Sequence, residues 1–335
     1  VGAPVSIIIP AFNQVEYCKQ CVLTLMANTP APYKLILIDN GSTDDVPVFF
    51  DSVPGACVIH SERNLGFAGG VNLGLAQAEG HALLLNSDTL LPQGWLEPLL
   101  DALDKYPDAG MVGPVSNRVS GIQQIETPPL QSLDDITAFQ AARRAEKAGS
   151  VVETQRLVGF CMLIRDTVLQ KVGLFDETFG IGNFEDDDYC MRVRSAGYRL
   201  LMVEDSFVFH YGSRTFVGMD LVGERWQELI DKNRQRFVEK WSPERAVEEA
   251  AALGEQAREA LEGGLFAEAL RLLRDALRRN PRSASLFNDL GVVLWRMREK
   301  TRALEQFRRA LQLDPENEEA RRHLEDGERE LHTQP

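Results

Sequence analysis

Over roughly the first 240 residues, short apolar runs alternate with longer stretches whose apolar positions recur every three or four residues. The runs VSIIIP, KLILID, CVIH and HALLLN are rich in β-branched residues and leucine, a pattern that suits strands buried on both faces. The helical stretches between them predict crossover helices, so this part reads as α/β with a mostly parallel sheet. Ligands of such sheets bind at the carboxyl ends of the strands. The polar residues at those ends are Asn13 after the first run, Asp39 and Asn40 after the second, Asn64 after the third, and Asn86 and Asp88 after the fourth.

Towards the C-terminus the pattern repeats. Ala269, Leu270, Leu273, Ala276, Leu277 and Pro281 recur as Ala303, Leu304, Phe307, Ala310, Leu311 and Pro315, a spacing of 34. Small residues where two helices cross, large ones between them and a proline that stops the second helix make each unit a helix-turn-helix. With Gly291, Ala303, Ala310 and Pro315 at the signature positions, the better copy resembles the tetratricopeptide repeat. A weaker copy starts near Ala250, and EEARRHLEDGERELH reads as a closing helix. The predicted division is therefore an α/β domain over 1–243 and an all-α domain of about two repeats plus a closing helix over 244–335. So few repeats are expected to pack against the preceding domain or to form a homo-oligomer.

Composition narrows the function classes. A net charge of −14 disfavours nucleic acid and anionic membranes as partners. Residues 244–335 hold 16 Lys and Arg against 19 Asp and Glu, leaving 20 and 31 for the rest, so the acid is concentrated in the α/β domain. Any phosphate-bearing ligand there is expected to need a bound cation. No apolar run spans a bilayer, and VGAPVSIIIP lacks a basic region or cleavage site, which leads to the expectation of a cytoplasmic protein. Five scattered cysteines fit a reducing compartment, and the Cys18/Cys21 pair lies in an apolar helical pattern with no second CxxC, so it reads as core.

Five segments then occur in a telling order: VSIIIPAFNQ, LILIDNGSTDD, RNLGFAGGVNLGLAQAEG, LLLNSDT and FEDDDYCMRVRSAGYRL. Together they resemble the family 2 glycosyltransferases over most of residues 5–212, particularly the branch containing rhamnosyl- and galactofuranosyltransferases. The resemblance implies the Rossmann-like GT-A fold, a nucleotide-diphosphate sugar as donor, inversion at the anomeric carbon, and a divalent cation, Mn2+ or Mg2+, as cofactor. On the donor side it implies Pro10, Asn13, Asp39, Asn40, Asn64, Gly66, Asn72, Asn86, Ser87 and Asp88. Asn40 and Asn86 stand where relatives often carry Asp, which bears on base preference and on metal affinity.

For the metal the resemblance implies Asp88, in NSDT, and His210, in FVFHYGS. Asp186 is implied as the general base that takes the proton of an acceptor hydroxyl, with Glu185, Asp188 and Gly159 on the acceptor side. Each residue also has a plainer reading: Asp39 can close a turn with Gly41 and Ser42, His210 can be a structural strand-end histidine, and EDDD can be an acidic first turn. The segment SLDDITAFQAARRAEKAGSVVETQ is expected to be a helix and a mobile loop near the acceptor entrance. The acceptor is a protein or peptide docked by the repeats, or a glycan of polysaccharide or lipid-linked assembly. An inactive repeat scaffold and a nucleotidyltransferase are the alternatives, although PAFNQVEY lacks the glycine- and arginine-rich opening of the latter.

Overall fold

The four apolar runs become strands β1 (Val5–Ala11), β2 (Lys34–Asp39), β3 (Cys57–His60) and β4 (His81–Leu85). The computed structural model describes residues 4–212 and 223–332, which divide into units Val1–Phe237 and Val238–Pro335. In the first unit, helices α1 (Val15–Asn28), α2 (Val46–Asp51) and α3 (Gly66–Leu75) connect the four strands. There follow β5 (Thr89–Leu90), α4 (Glu97–Lys105), β6 (Ala109–Val115), α5 (Leu133–Lys147), β7 (Val151–Thr154) and β8 (Cys161–Ile164). The unit continues through α6 (Asp166–Val172), α7 (Glu185–Ser195), β9 (Arg199–Phe207), β10 (Phe209–His210) and the start of α8 (Gly223–Glu262).

The main sheet has eight strands in the order β3-β2-β1-β4-β8-β6-β9-β7. Pairings within β3-β2-β1-β4 and between β6 and β9 are parallel, while β8 runs antiparallel to both β4 and β6. Alternate residues serve opposite faces, as the pleat requires. Ile7, Ile9, Leu83 and Leu85 pack with α1 and α4, whereas Ile8, Ile36, Ile38 and Leu84 pack with α3 and α7. Both faces are apolar, so the strands carry the unbroken hydrophobic runs seen in the sequence.

Two features differ from the sequence expectation. The stretch after α5 is not a mobile loop: Val151–Thr154 pairs antiparallel with β9 at the sheet edge. A capping box, in which Ser132 accepts from the Asp135 amide, starts α5 as an ordered helix. The division between units also falls after Phe237, within α8, where the chain stays helical. Cys18 and Cys21 are fully buried, and burial pushes both thiols up to about 12, which makes them core residues and poor metal ligands at neutral pH.

In the second unit the 34-residue pattern forms α9 (Phe266–Arg279), α10 (Ala284–Arg296), α11 (Lys300–Leu313) and the closing α12 (Glu318–His332). Ala269, Leu273 and Ala276 are buried in one copy, as are Ala303, Phe307 and Ala310 in the next. A Cβ at Gly291 would stand 2.3 Å from the Phe307 ring, which explains glycine at this crossing.

The first unit contains an equivalent close approach. A Cβ on Gly74 of α3 would lie 2.4 Å from Ile8 Cγ2 and 2.9 Å from Ile38 Cδ1. Gly74→Ala is therefore expected to lower stability by about 1–3 kcal/mol, because the helix must lift from β1 and β2. Urea unfolding monitored by tryptophan fluorescence checks this, and an unchanged midpoint would contradict the packing argument.

Candidate functional site

The polar residues converge because two strands of different sequence origin pair beyond the main sheet. β5 and β10 form a short antiparallel ladder that sets His210 opposite Thr89, and the Tyr211 amide donates to the Asp88 carbonyl at 3.0 Å. This brings His210 to Asp88 across 122 residues, with Nε2 3.1 Å from Oδ1. Nδ1 lies 2.8 Å from the Arg118 carbonyl, an acceptor only, so Nδ1 carries the proton. In the neutral ring, Nε2 then turns its lone pair towards a carboxylate, with the Asn86 amide nitrogen 3.5 Å away. The Phe160 ring stacks on the imidazole at 5.3 Å and fixes its plane.

Two facing electron-pair donors, a carboxylate and an imidazole, are the chemistry that a divalent cation relieves. Asp88 and His210 therefore fit a metal, with Asn86 able to add a neutral carbonyl oxygen. No group of three or more His, Cys, Asp or Glu side chains suited to a metal occurs among the described residues, so a cation here would take further ligands from water or a phosphate.

The acid cluster shares a cavity with this pair; it has a volume of about 670 Å³ and is lined by Asn86, Asp88, Gly159, Glu185, Asp186 and His210. α7 starts immediately after two left-handed residues, Asn183 and Phe184, both with φ of 73°. Asn233 of α8, which is 1% exposed, holds this turn, its side-chain amide facing the carbonyls of Phe179, Gly182 and Asn183 at 2.7, 2.8 and 3.2 Å. The turn aims Asp186 at the cavity. Its Oδ2 accepts from the Gly159 amide and its Oδ1 from the Asp187 amide, both at 2.9 Å.

The neighbours of Asp186 are unlike it. Glu185 is buried and its Oε2 has no hydrogen-bond partner; burial, reinforced by the Asp186 charge, raises its proton affinity well above the usual range. Burial and then Asp186 also push Asp187 up, to about 7, against the pull of Arg156, whose Nε is 2.5 Å from Asp187 Oδ1. Asp188 does not line the cavity: it is fully buried and paired with Arg192 at 2.9 Å, one turn along α7.

Pro10, Asn40, Asn64, Gly66, Asn86 and Ser87, which the resemblance assigns to the donor, line an adjoining pocket of about 60 Å³. Asn40 is a brace within it, donating to Asn64 Oδ1 and the Gly66 carbonyl and accepting from the Leu65 amide. A Cβ on Gly66 would fall 2.0 Å from the Gly180 carbonyl oxygen, so only glycine lets this loop meet the turn before α7. Asp39 and Asn13 order the next loop, accepting from the amides of Ser42 and Thr43. Asp39 also meets His60, a residue the motifs did not single out, at 3.0 Å. Asn72 faces away from both pockets, bonded to the Phe175 backbone and Glu177.

Composition leads to the expectation of few positive charges near the site, and three arginines reach the cavity. Arg118, Arg156 and Arg234 line it, together with Trp226 and Ile230 from α8. None belongs to a motif, and no local signal marks them.

Asp187 binds its proton more tightly in the folded than in the unfolded chain, so its stabilising effect is complete below its ordinary pKa and disappears as pH rises through about 7. Asp187→Asn should therefore raise the melting temperature relative to wild type at about pH 8 and lose that advantage at about pH 5. Scanning calorimetry at the two pH values checks the sign.

The glycosyl transferase family 2 model matches residues 6–173, and a tetratricopeptide repeat model matches residues 255–318. An uncharacterized protein of Mycobacterium tuberculosis is 33% identical over 215 residues, covering 62% of this chain and 74% of that one. The N-acetylglucosaminyl-diphospho-decaprenol L-rhamnosyltransferase of the same organism is 25% identical over 228 residues, covering 60% and 73%. A crystal structure of S. aureus TarS 1-349 superposes with a TM-score of 0.48 at 15% identity over 98% of this chain and 92% of that one. With the family model matching half the chain, from β1 to the end of α6, this protein belongs to glycosyl transferase family 2 and carries C-terminal tetratricopeptide repeats.

Proposed function

We propose that the chain is a metal-assisted, inverting glycosyltransferase that moves a hexosyl or deoxyhexosyl group from a nucleotide-diphosphate sugar to an acceptor hydroxyl. The observation that carries this reading is one cavity lined by both Asp186 and the Asp88–His210 pair. A hydroxyl at neutral pH needs a base on the face opposite the leaving group. Asp186 takes its proton, the acceptor oxygen bonds to the anomeric carbon, and the bond from that carbon to the diphosphate oxygen breaks with inversion. Two backbone amides hold the carboxylate throughout, so little reorganisation is required.

Asp88 and His210 would hold Mn2+ or Mg2+, which when bound supplies positive charge to the leaving diphosphate. Ser87, Asn64 and Gly66 bound the space beside it, and Asp39 keeps lone pairs for a base or ribose in addition to its contacts with Ser42 and His60.

The acceptor is proposed to be a protein or peptide docked by the repeats, since repeats of this kind present extended binding surfaces. A second reading, transfer to a polysaccharide or lipid-linked glycan with the repeats used for oligomerisation, draws support from the relative whose name specifies a decaprenol-linked acceptor. A chain ending at residue 262 separates them. Retained manganese-dependent binding of a nucleoside diphosphate with loss of protein labelling supports the first reading, whereas a change in solution mass alone supports the second.

Asp186→Asn should lower turnover on the order of a hundredfold or more while leaving affinity for manganese and UDP, TDP or GDP near wild type. Asp88→Asn should weaken that binding first. Calorimetry and diphosphate release measure the two effects. Full turnover by Asp186→Asn would remove the base, and nucleotide affinity indifferent to manganese would remove the metal.

A further inference from the structure

Three consecutive carboxyl groups, Glu185, Asp186 and Asp187, line the cavity, and only one can serve best as a base. Their surroundings differ in a way that one side chain controls. Arg156 follows β7, its backbone fixed by Thr154, whose hydroxyl donates to the Arg156 carbonyl at 3.0 Å. Its Nη1 donates to Ser120 Oγ at 2.9 Å, and its Nε faces Asp187 Oδ1 at 2.5 Å. The guanidinium thus lies against Asp187, the carboxyl group next to the proposed base.

We propose that Arg156 is a positioning residue of the transfer reaction: by pairing with Asp187 it makes Asp186 the carboxylate that receives the acceptor's proton. This rests on the assignment of Asp186 as base. The geometry divides the trio into a buried Glu185 with an unpartnered oxygen, an Asp186 held by two amides, and an Asp187 tied to a cation. Burial works against charge on Arg156, but Asp186 and Asp187 outweigh it and keep the guanidinium protonated. The same cation pulls down the proton affinity of both Glu185 and Asp187, against their burial and the Asp186 charge.

Other charges face this group less directly. The Cys190 thiol lies on α7 behind the trio, while Arg118 and Arg234, with Asp88 and His210, line the same cavity. Removing the Arg156 charge leaves two adjacent aspartates without their ion-pair partner, so the trio keeps a proton to higher pH. At neutral pH that proton is shared with the base and turnover falls.

The test uses the full chain with manganese and hydrolysis of UDP-glucose, TDP-rhamnose or GDP-mannose, water serving as acceptor. Arg156→Met should move the acid limb of the kcat/KM profile up by about one to two pH units, with a loss of about tenfold near pH 6.5 that recovers near pH 8.5. Arg156→Lys should retain most of the wild-type profile, and the Arg156→Met, Asp187→Asn double variant should return the limb towards wild type. A merely structural arginine gives no such recovery. An activity-independent readout is the fall in melting temperature between about pH 5.5 and 8, which should widen in Arg156→Met and narrow in the double variant. If Arg156→Met does not fold, Asp187→Asn alone should move the limb to lower pH.

An unmoved limb or a double variant no better than the single one overturns the inference; where none of the three sugars is hydrolysed, an unchanged melting difference does so. An inactive Asp186→Asn beside an unmoved Arg156→Met limb rejects only the role of Arg156, whereas an active Asp186→Asn rejects the base assignment itself.

Discussion

The turn from 179 to 184 is the constraint on which the site depends. It passes through two consecutive left-handed residues that are not glycine, a conformation that costs on the order of 1–3 kcal/mol at each. Asn233 offsets that cost by engaging three carbonyls, and the Phe67 amide donates to the Ile181 carbonyl from the other side. The return for this strain is directional. Without the left-handed pair, α7 would begin along another axis and its first-turn acids would not line the cavity.

The same turn ties the loop at Gly66, proposed to face the donor, to the acid helix α7. Gly66 lies against Gly180 so closely that a methyl group would overlap its carbonyl, and Phe67 lines both pockets. Asn40, whose amide spans Asn64 and Gly66, therefore braces the acid side as well as the donor side, although it lies at the end of β2. Its hydrogen bonds explain why an amide serves there: a carboxylate could accept from Leu65 but could not donate to Gly66.

Legibility in the sequence followed physical cause. β1 to β4 were readable because burial on both faces demands unbroken apolar runs. β7 was not, since an edge strand with exposed Val152 and Glu153 looks like a polar loop. Asp186, Asp88 and Gly159 line the cavity, but Asp188 and Asn72 turn inward to Arg192 and to the Phe175 backbone. A motif records that a polar residue is present and not which way its side chain points. Arg156, Asn233 and His60 were invisible for the converse reason, because each acts on a partner that only the tertiary fold brings near.

Net charge was a poor guide to the site for a related reason. The acidic excess of the chain says nothing about where its few cations lie, and three arginines reach one cavity. Arg118 presents its backbone carbonyl to His210 while its side chain borders the cavity, so a single residue links the imidazole tautomer to the local field. Asp187 pairs with Arg156, which lines the cavity too. One cavity thus holds a histidine–carboxylate pair suited to a cation and an acid cluster in which two backbone amides orient Asp186. Amides orient the proposed base without placing a full positive charge on it, which suits a carboxylate that has to accept a proton.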